Sequence, residues 1–501
     1  MGQAMSTGAA APAAARASTP YAEIRETHTG VVVLVGDRAY KGKKPITTDF
    51  LDHSTAESRE RSCQREVELN RRLAPDTYLG VAHMSDPSGG PAEPVVVMRR
   101  YPEACRLATR VRNGEPVTSA LERVADELAR FHERADRGRA IDEQGKVRAV
   151  SALWQENIAE LKRFVGSVLP ADKVRDLEDL ATQFIAGRSV LFTARVEDRC
   201  IVDGHGDLLA DDIFCLSDGE VEILDCLEFD DALRHVDVID DAAFLAMDLE
   251  FLDGRELADQ FLESYGRLSG DTAPSSLKHF YIAYRAVVRA KVDCIRVNQG
   301  HPDAAQDALR HVDMAVDHLQ AGAVRLVLVG GGPGTGKTTV AHGLADRVGA
   351  QVVSTDEVRR ELQQSGTVTG TAGVLDRGLY SPENVGEVYH AVLRHAHLLL
   401  AGGRSVILDG TWRDPRHRAA ARQLAADTHS ALSEILCVAT AEAAASRVAG
   451  RPPGGASDAT PGIAEALKDA GQDWRDAFRL DTDQPLADTV RDAETLWRDM
   501  V

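Results

Sequence analysis

A glycine-rich loop that directly follows a buried strand is the feature that most constrains this chain. Residues 324–329 (VRLVLV) are almost continuously apolar, as a parallel strand covered on both faces should be. The loop 331–338 (GGPGTGKT) comes next, and a helical pattern begins at Thr338. Glycines, a lysine and a hydroxyl residue at this spacing form a cradle of backbone N–H groups for nucleotide phosphates and their magnesium. The sequence therefore predicts an α/β P-loop domain with a mainly parallel sheet.

Each part of this loop has an expected role. The backbone N–H groups from Gly334 to Lys337 would face the β-phosphate, and Lys337 would neutralise the β- and γ-oxygens. The hydroxyl of Thr338 would bind Mg²⁺. The predicted cofactors are ATP or GTP, with Mg²⁺, and the sequence does not separate the two nucleotides. The predicted nucleotide-binding residues are Gly331, Gly332, Pro333, Gly334, Thr335, Gly336, Lys337, Thr338 and Thr339.

An aspartate ends a later strand of the same domain. Asp409 follows residues 405–408 (SVIL) and precedes Gly410. An acid at the carboxyl end of a parallel strand faces the ligand crevice, where it could organise Mg²⁺ or position a substrate. A turn or capping aspartate is the alternative interpretation.

A second acid lies in the segment 354–360 (STDEVRR). Asp356 suits a contact to a substrate hydroxyl or the role of general base, with Arg359 as a clamp for an anionic substrate. The alternative is a helix N-cap formed by Ser354, Thr355 or Asp356.

Two arginines further on have the spacing of one helix face. Arg447 and Arg451 are four residues apart and precede the flexible sequence 452–455 (PPGG). Such a pair could close over phosphates as a lid, and a plain solvated helix face is the alternative.

Together, these segments resemble the small P-loop kinase group, which includes gluconate kinases, chloramphenicol phosphotransferase, polynucleotide kinases and zeta toxins. The resemblance covers most of residues 322–501 and rests on GGGPGTGKTT, STDEVRR and VILDGTW. It implies transfer of a phosphoryl group to a small hydroxylated acceptor, and the motifs do not specify that acceptor.

The long stretch before this domain carries a different motif. His205-Gly206-Asp207-Leu208 is followed by Asp212 and by a strand that ends at Asp225. The pattern resembles aminoglycoside and choline phosphotransferases, which are relatives of protein kinases with an α+β fold. The resemblance spans about 30–318 and implies that Asp207 orients or deprotonates the acceptor hydroxyl. It also implies that Asp212 and Asp225 bind metal, although Asp212 stands where the family usually has Asn.

An upstream lysine strand fits the same fold. Lys41 and Lys43 lie two apart and share one face of the predicted strand 38–43. We favour Lys43 as the phosphate-binding lysine, with Lys41 second, and Glu66 as its helix partner, with Glu68 second. No GxGxxG loop precedes this strand. Surface lysines and a charged helix are the alternative.

These patterns predict three segments within the 501 residues. They are a disordered Ala-rich tail at 1–20, an aminoglycoside phosphotransferase-like domain at 21–320 and a P-loop kinase domain of AAA type at 321–501. The formal net charge of −20 argues against broad binding to nucleic acid or anionic membranes. Seven scattered cysteines, no signal-peptide pattern and no long apolar run predict a cytoplasmic location.

Three functional hypotheses remain open. The first is an ATP–Mg²⁺-dependent kinase with an alcohol group as acceptor, in which the N-terminal domain is a second phosphotransferase. In the second, the N-terminal domain is an inactive sensor that gates the C-terminal ATPase. The third, a zeta-toxin-like nucleotide-sugar kinase, is weakened by the fused N-terminal domain. The sequence leaves the oligomeric state undetermined.

Overall fold

The computed structural model describes residues 21–26, 30–47, 52–85, 87–371, 376–450 and 473–501. The predicted tail at 1–20 lies outside the described residues. The chain divides into two compact units, of which the first comprises residues up to Glu127 together with Asp207–Asp231. The second comprises Leu128–Gly206 and Ala232–Val501. The predicted boundary near residue 320 falls inside the second unit and stays a prediction.

Strands and helices are labelled here in chain order. The strands are β1 (Ala22–Glu26), β2 (Gly30–Val35), β3 (Arg38–Lys43), β4 (Tyr78–Met84), β5 (Glu93–Arg99), β6 (Ile201–Asp203), β7 (Ile213–Cys215), β8 (Val221–Ile223), β9 (His235–Asp237), β10 (Arg325–Gly330), β11 (Gln351–Ser354), β12 (Val406–Asp409), β13 (Ala431–Val438) and β14 (Phe478–Asp481). The helices up to residue 321 are α1 (Ala56–Asn70), α2 (Leu107–Arg112), α3 (Thr118–Arg134), α4 (Arg139–Asp142), α5 (Val147–Lys162), α6 (Ala171–Gly187), α7 (Ser189–Glu197), α8 (Val238–Phe251), α9 (Arg255–Ser269), α10 (Ser275–Asn298) and α11 (Ala304–Ala321). The later helices are α12 (Lys337–Val348), α13 (Thr355–Gln364), α14 (Pro382–Ala401), α15 (Pro415–Asp427), α16 (Ala441–Ala449) and a C-terminal helix, Leu486–Arg498.

The first unit is built on an antiparallel sheet. Its strand order is β1-β2-β3-β5-β4, and α1 packs on one face through a core that includes Cys63, Val67 and Val96. Thr55 caps α1 by accepting a hydrogen bond from the backbone N–H of Ser58. The hairpin β7–β8 belongs to the same unit.

The second unit combines helices with a five-stranded parallel sheet. The sheet order is β11-β12-β10-β13-β14, and every neighbouring pair is parallel. Alternate residues of β10 enter two separate cores, with Leu326 and Leu328 on one face and Val327 and Val329 on the other. Helices cover both faces, so the predicted α/β part with a mainly parallel sheet is confirmed, and the antiparallel sheet with the helices before it forms the predicted α+β part.

Several elements differ from the sequence prediction. The helical pattern of residues 153–185 predicts one long helix, but the structure has two, α5 and α6, because the chain turns before Pro170, which precedes α6. The strands β1, β4 and β14 were not predicted, since they are short, polar or interrupted by glycine. Among the described residues, no helix combines the length and apolar character needed to cross a bilayer.

Candidate functional site

The glycine loop joins β10 to α12 and requires glycine at several positions. Gly331, Gly334 and Gly336 have positive φ angles of 143°, 83° and 81°. A Cβ atom on Gly334 would lie 2.3 Å from the carbonyl oxygen of Ala444, so a side chain there would collide with backbone. The loop therefore keeps a backbone shape that only glycine adopts without strain.

Lys337 and Thr338 begin α12 directly after this loop. Gly336 is the N-cap, and no side chain caps the first turn. Lys337 makes no ion pair with any carboxylate among the described residues. A free lysine at a helix N-terminus offers positive charge together with backbone donors, which suits a phosphate group.

Asp409 lies beside this helix start. The residue is 3% exposed, and its Oδ2 accepts hydrogen bonds from the hydroxyls of Thr338 (2.8 Å) and Ser354 (3.3 Å). Its Oδ1 is buried and has no hydrogen-bond partner among the described residues. The pKa of Asp409 is raised above its ordinary value, because the effect of burial exceeds the opposing effects of Lys337 and Thr338. A buried, half-satisfied carboxylate next to a threonine hydroxyl fits a hard cation such as Mg²⁺.

Asp356 and Arg359 lie on the first turns of α13, where they form an ion pair with each other. The N-cap of this helix is Ser354, whose hydroxyl accepts from the N–H of Asp356 at 3.3 Å. The carboxylate of Asp356 is therefore not the cap. Arg359 is 7% exposed and lies over the ring of Tyr380, with 4.7 Å from its guanidinium carbon to the ring centre.

The predicted lid arginine Arg447 lies against the glycine loop. Its guanidinium donates to the carbonyl oxygens of Thr482 (2.7 Å) and Gly334 (3.4 Å), and it lies 3.5 Å from a carboxylate oxygen of Asp483. In this state Arg447 supports the loop. Arg451, its predicted partner, lies outside the described residues.

Thr482 is a contact that the sequence did not suggest. It follows β14, a strand that was not predicted, and its Oγ1 lies 2.9 Å from the carbonyl oxygen of Thr335 and 3.0 Å from that of Val438. The end of β14 thus holds the glycine loop through backbone carbonyls.

The turn after Asp409 is held by residues for which the sequence predicted no role. Trp412 is fully buried with a positive φ of 51°, which is uncommon for a bulky residue. Its backbone N–H donates to the hydroxyl of Tyr389 at 3.0 Å, and that hydroxyl lies 3.3 Å from Oγ1 of Thr411. The segment 406–412 (VILDGTW) contained the signal, but only its aspartate had been given a role.

The first unit holds the second group of predicted residues. Lys41 Nζ lies 3.0 Å from Glu66 Oε1, and Lys43 Nζ lies 2.6 Å from Glu66 Oε2. Lys41 also lies 2.6 Å from Asp225 Oδ1, whereas Lys43 contacts Glu228. Burial would raise the pKa of the fully buried Glu66, but the two lysines lower it below its ordinary value. The predicted ion pair between Glu66 and a strand lysine is therefore present, and Glu66 forms it with both Lys41 and Lys43.

The predicted acids of this unit are electrostatically linked. Burial, followed by the charges of Asp225 and Asp207, raises the pKa of Asp212 well above its ordinary value. The backbone N–H of Leu224 donates to the carbonyl oxygen of Asp212 at 3.0 Å, which ties the two acidic segments together. Asp225 has a positive φ of 64°. No set of three metal-ligating side chains converges within the described part of the chain. Mg²⁺ commonly takes only one or two carboxylates and leaves its other positions to phosphates and water.

Two residues of the second unit hold the backbone that precedes Asp207. The carboxylate of Asp241 accepts from the N–H groups of His205 (2.7 Å) and Gly206 (2.9 Å). Arg285 donates to the carbonyl oxygen of Gly206 at 3.2 Å and forms a buried ion pair with Asp240. Sequence reasoning had given Asp241 no role, because a helix-embedded acid has no distinctive local pattern.

Comparison with known proteins agrees with this architecture. A family model described as "AAA domain" matches residues 326–472. The "Uncharacterized protein Rv2004c" of Mycobacterium tuberculosis H37Rv is 59% identical over 482 residues, which is 96% of this chain and 96% of the mycobacterial protein. The chain belongs to the same family as this mycobacterial protein.

Two solved kinase structures are among those similar to this chain. A choline/ethanolamine kinase family protein from Mesorhizobium loti is 15% identical and covers 61% of this chain and 94% of its own, with a TM-score of 0.37. A sugar kinase from Janibacter sp. HTCC2649 is 21% identical and covers 36% of this chain and 96% of its own, with a TM-score of 0.28.

Proposed function

We propose that this protein is a phosphotransferase that uses ATP, or GTP, and Mg²⁺ to phosphorylate an alcohol group of a small acceptor. The observation that carries the proposal is the placement of Asp409. Its carboxylate lies against the hydroxyl of Thr338, one of its oxygens has no hydrogen-bond partner among the described residues, and it ends β12, the strand next to β10. A metal-binding acid beside a phosphate cradle is the arrangement that phosphoryl transfer requires.

Each residue of the P-loop site then has a role. The loop amides and Lys337 would bind the phosphates, and Thr338 with Asp409 would hold the metal. Mg²⁺ bound there would neutralise charge on the phosphate oxygens during transfer. Asp356 would orient the acceptor hydroxyl and take its proton, and Arg359 would bind an anionic group of the acceptor. Because these two side chains pair with each other, an acceptor has to loosen that pair when it binds.

The N-terminal part is, on this proposal, a second phosphotransferase. Asp207 would orient its acceptor hydroxyl, and Asp212 with Asp225 would hold Mg²⁺. We assign the phosphate contact to Lys41 in preference to Lys43, because Lys41 is the lysine that reaches Asp225. Lys43 would then support Glu66. We further propose that the protein is cytoplasmic and that residues 21–320 and 321–501 carry these two activities separately.

One observation favours a regulatory alternative for the N-terminal part. Lys41 is paired with both Glu66 and Asp225, so a nucleotide and metal must displace an existing ion pair. Asp212 adds a negative charge where the related kinases usually have Asn. A nucleotide-binding sensor that gates the C-terminal site would show both features and would lack transfer activity.

The test is nucleotide turnover with a panel of sugars, aminoglycosides and nucleosides. The wild-type chain is compared with the variants Lys337→Ala and Asp207→Ala, and phosphorylated products are identified by mass spectrometry. Two acceptor activities, each lost in only one variant, support the proposal. If Asp207→Ala leaves every transfer intact while Lys337→Ala abolishes all of them, the N-terminal part is a sensor. Transfer that survives both substitutions contradicts the proposal for both sites.

A further inference from the structure

A small polar pocket lies within the second unit, at the amino ends of the parallel strands. The N-terminus of α10 meets the starts of β10, β11 and β12 there, around a cavity of about 110 Å³. No aspartate or glutamate is among the described residues that line it, in a chain with a net charge of −20. Its polar lining consists of Ser275, Ser276, Arg325, Gln351, Arg404 and Ser405.

The buried arginine of this pocket has no negative partner. Arg325 is 5% exposed, and its guanidinium donates to the backbone carbonyl oxygens of Gln320 (2.9 Å), Ala323 (2.7 Å) and Trp497 (3.1 Å). No carboxylate of the described residues lies within ion-pair distance. Carbonyl oxygens satisfy the N–H groups but do not neutralise the charge, and burial accordingly lowers the pKa of Arg325. An uncompensated buried cation is costly, and a bound anion would remove that cost.

Two further features add positive potential. Arg404 lines the pocket and also forms no ion pair with a carboxylate of the described residues; its guanidinium donates a hydrogen bond to the carbonyl oxygen of Thr272 at 3.3 Å. The 24-residue helix α10 begins at the pocket after Pro274, and no side chain caps its first turn. The helix macrodipole and open backbone N–H groups therefore point positive charge at the same space as both arginines.

We propose that this pocket binds a small oxyanion, either free inorganic phosphate or the phosphate group of a phosphate monoester. Its volume is well below the roughly 300 Å³ of sites that enclose drug-sized ligands, so the enclosed part is ion-sized. The site is separate from the nucleotide site. Arg325 begins β10 and the glycine loop follows its end, so the six residues of the strand put roughly 20 Å between them.

The bound anion would tie the helices before residue 321 to the P-loop sheet. The two parts already touch beside the pocket, where the hydroxyl of Ser276 donates to the carbonyl oxygen of Gly403 at 2.6 Å. Arg188, which is 1% exposed, makes a similar contact by donating to the carbonyl oxygen of Thr428 at 2.7 Å. An anion held by α10, Arg325 and Arg404 would add a further link, so phosphate should stabilise the folded chain.

The test is a titration of the full-length chain with inorganic phosphate, at constant ionic strength, by calorimetry and thermal denaturation. The Lys337→Ala background removes the phosphate contact of the glycine loop. In that background we expect Arg404→Gln to weaken phosphate binding about tenfold and to reduce the rise in Tm that phosphate causes. Arg394→Gln is the control, because Arg394 is an exposed arginine of the same unit outside the pocket. It should leave both readouts unchanged.

A second variant guards against loss of folding in Arg404→Gln. Gln351 lines the pocket and is exposed, so Gln351→Glu adds a negative charge without removing a structural contact. It should also weaken phosphate binding, and glucose 6-phosphate in place of phosphate shows whether a monoester enters. If phosphate binds equally to the background, to Arg404→Gln and to Gln351→Glu, the proposal is wrong. It is also wrong if neither phosphate nor glucose 6-phosphate binds.

Discussion

The glycine-loop site and the N-terminal acidic site differ in how far their charges are already paired within the chain. At the loop, Lys337 has no ion-pair partner among the described residues, and Asp409 keeps one oxygen free. In the first unit, Lys41 and Lys43 share Glu66, and Lys41 also binds Asp225. On the proposed function, a nucleotide would therefore meet an unpaired lysine at the loop, whereas at the N-terminal site it would compete with internal ion pairs.

The largest expected effect is at the loop. Lys337→Ala removes the only side-chain cation that we assign to the phosphates there, and nucleotide turnover at this site should fall by about 10²–10³-fold. Turnover is measured with saturating nucleotide and Mg²⁺. Lys146→Ala, at an exposed lysine that forms an ion pair with Glu143, serves as the control. If Lys337→Ala turns over nucleotide as fast as the wild type does, Lys337 does not act on the phosphates, and the proposed difference between the two sites is wrong.

The free oxygen of Asp409 predicts a metal-dependent effect. Asp409→Asn keeps the shape and an acceptor for Thr338 but removes the charge, so affinity for ADP with Mg²⁺ should fall about tenfold. Affinity for ADP measured in EDTA should not fall. Asp427→Asn, on a surface residue that binds Gln423, is the matched control. An equal loss of affinity with and without Mg²⁺ would mean that Asp409 acts on the loop and not on a metal.

Substitutions of the two lysines of the first unit should affect different properties, nucleotide binding for Lys41 and stability for Lys43. Lys41→Met should weaken nucleotide binding to this unit several-fold, because it removes the side chain that reaches Asp225. Lys43→Met should mainly lower Tm, because Lys43 is 2% exposed in its side chain and pairs with the buried Glu66. Both variants are compared in the Lys337→Ala background, so that the measured nucleotide binding is that of the N-terminal site. If Lys43→Met weakens nucleotide binding more than Lys41→Met does, Lys43 is the phosphate-binding lysine.

The smallest effect concerns Asp212 and depends on pH. Its raised pKa means that the folded chain favours the protonated carboxyl, so the stability it contributes is present at low pH and lost as pH rises past about 4. Asp212→Asn should therefore raise Tm at pH 7, by roughly 2–4 °C, with a smaller gain near pH 4. Denaturation without Mg²⁺ at both pH values measures this. A gain that is equal at the two values, or larger at pH 4, contradicts the electrostatic explanation.

The two regions also differ in how much the sequence revealed. The loop site follows from a local motif, and the structure places Lys337, Thr338 and Asp409 together as the strand-end argument requires. The hydrogen bonds from Thr482 to the loop could not be predicted, because Thr482 follows β14, a short polar strand at the sheet edge that has no clear strand pattern. In the first unit, the shared face of Lys41 and Lys43 was readable from the period of a strand. Which lysine reaches Asp225 depends on residues 184 positions apart, and no local pattern encodes that.

The central claim is that the chain holds two phosphate-handling sites. Calorimetric titration with ADP and Mg²⁺ measures their number in the wild-type chain, in Lys337→Ala, in Lys41→Met and in the double variant. The account predicts two sites in the wild type, with only the loop site weakened in Lys337→Ala, only the N-terminal site weakened in Lys41→Met, and both weakened in the double variant. A wild-type chain that binds one nucleotide, with all binding lost in Lys337→Ala and none lost in Lys41→Met, would contradict it.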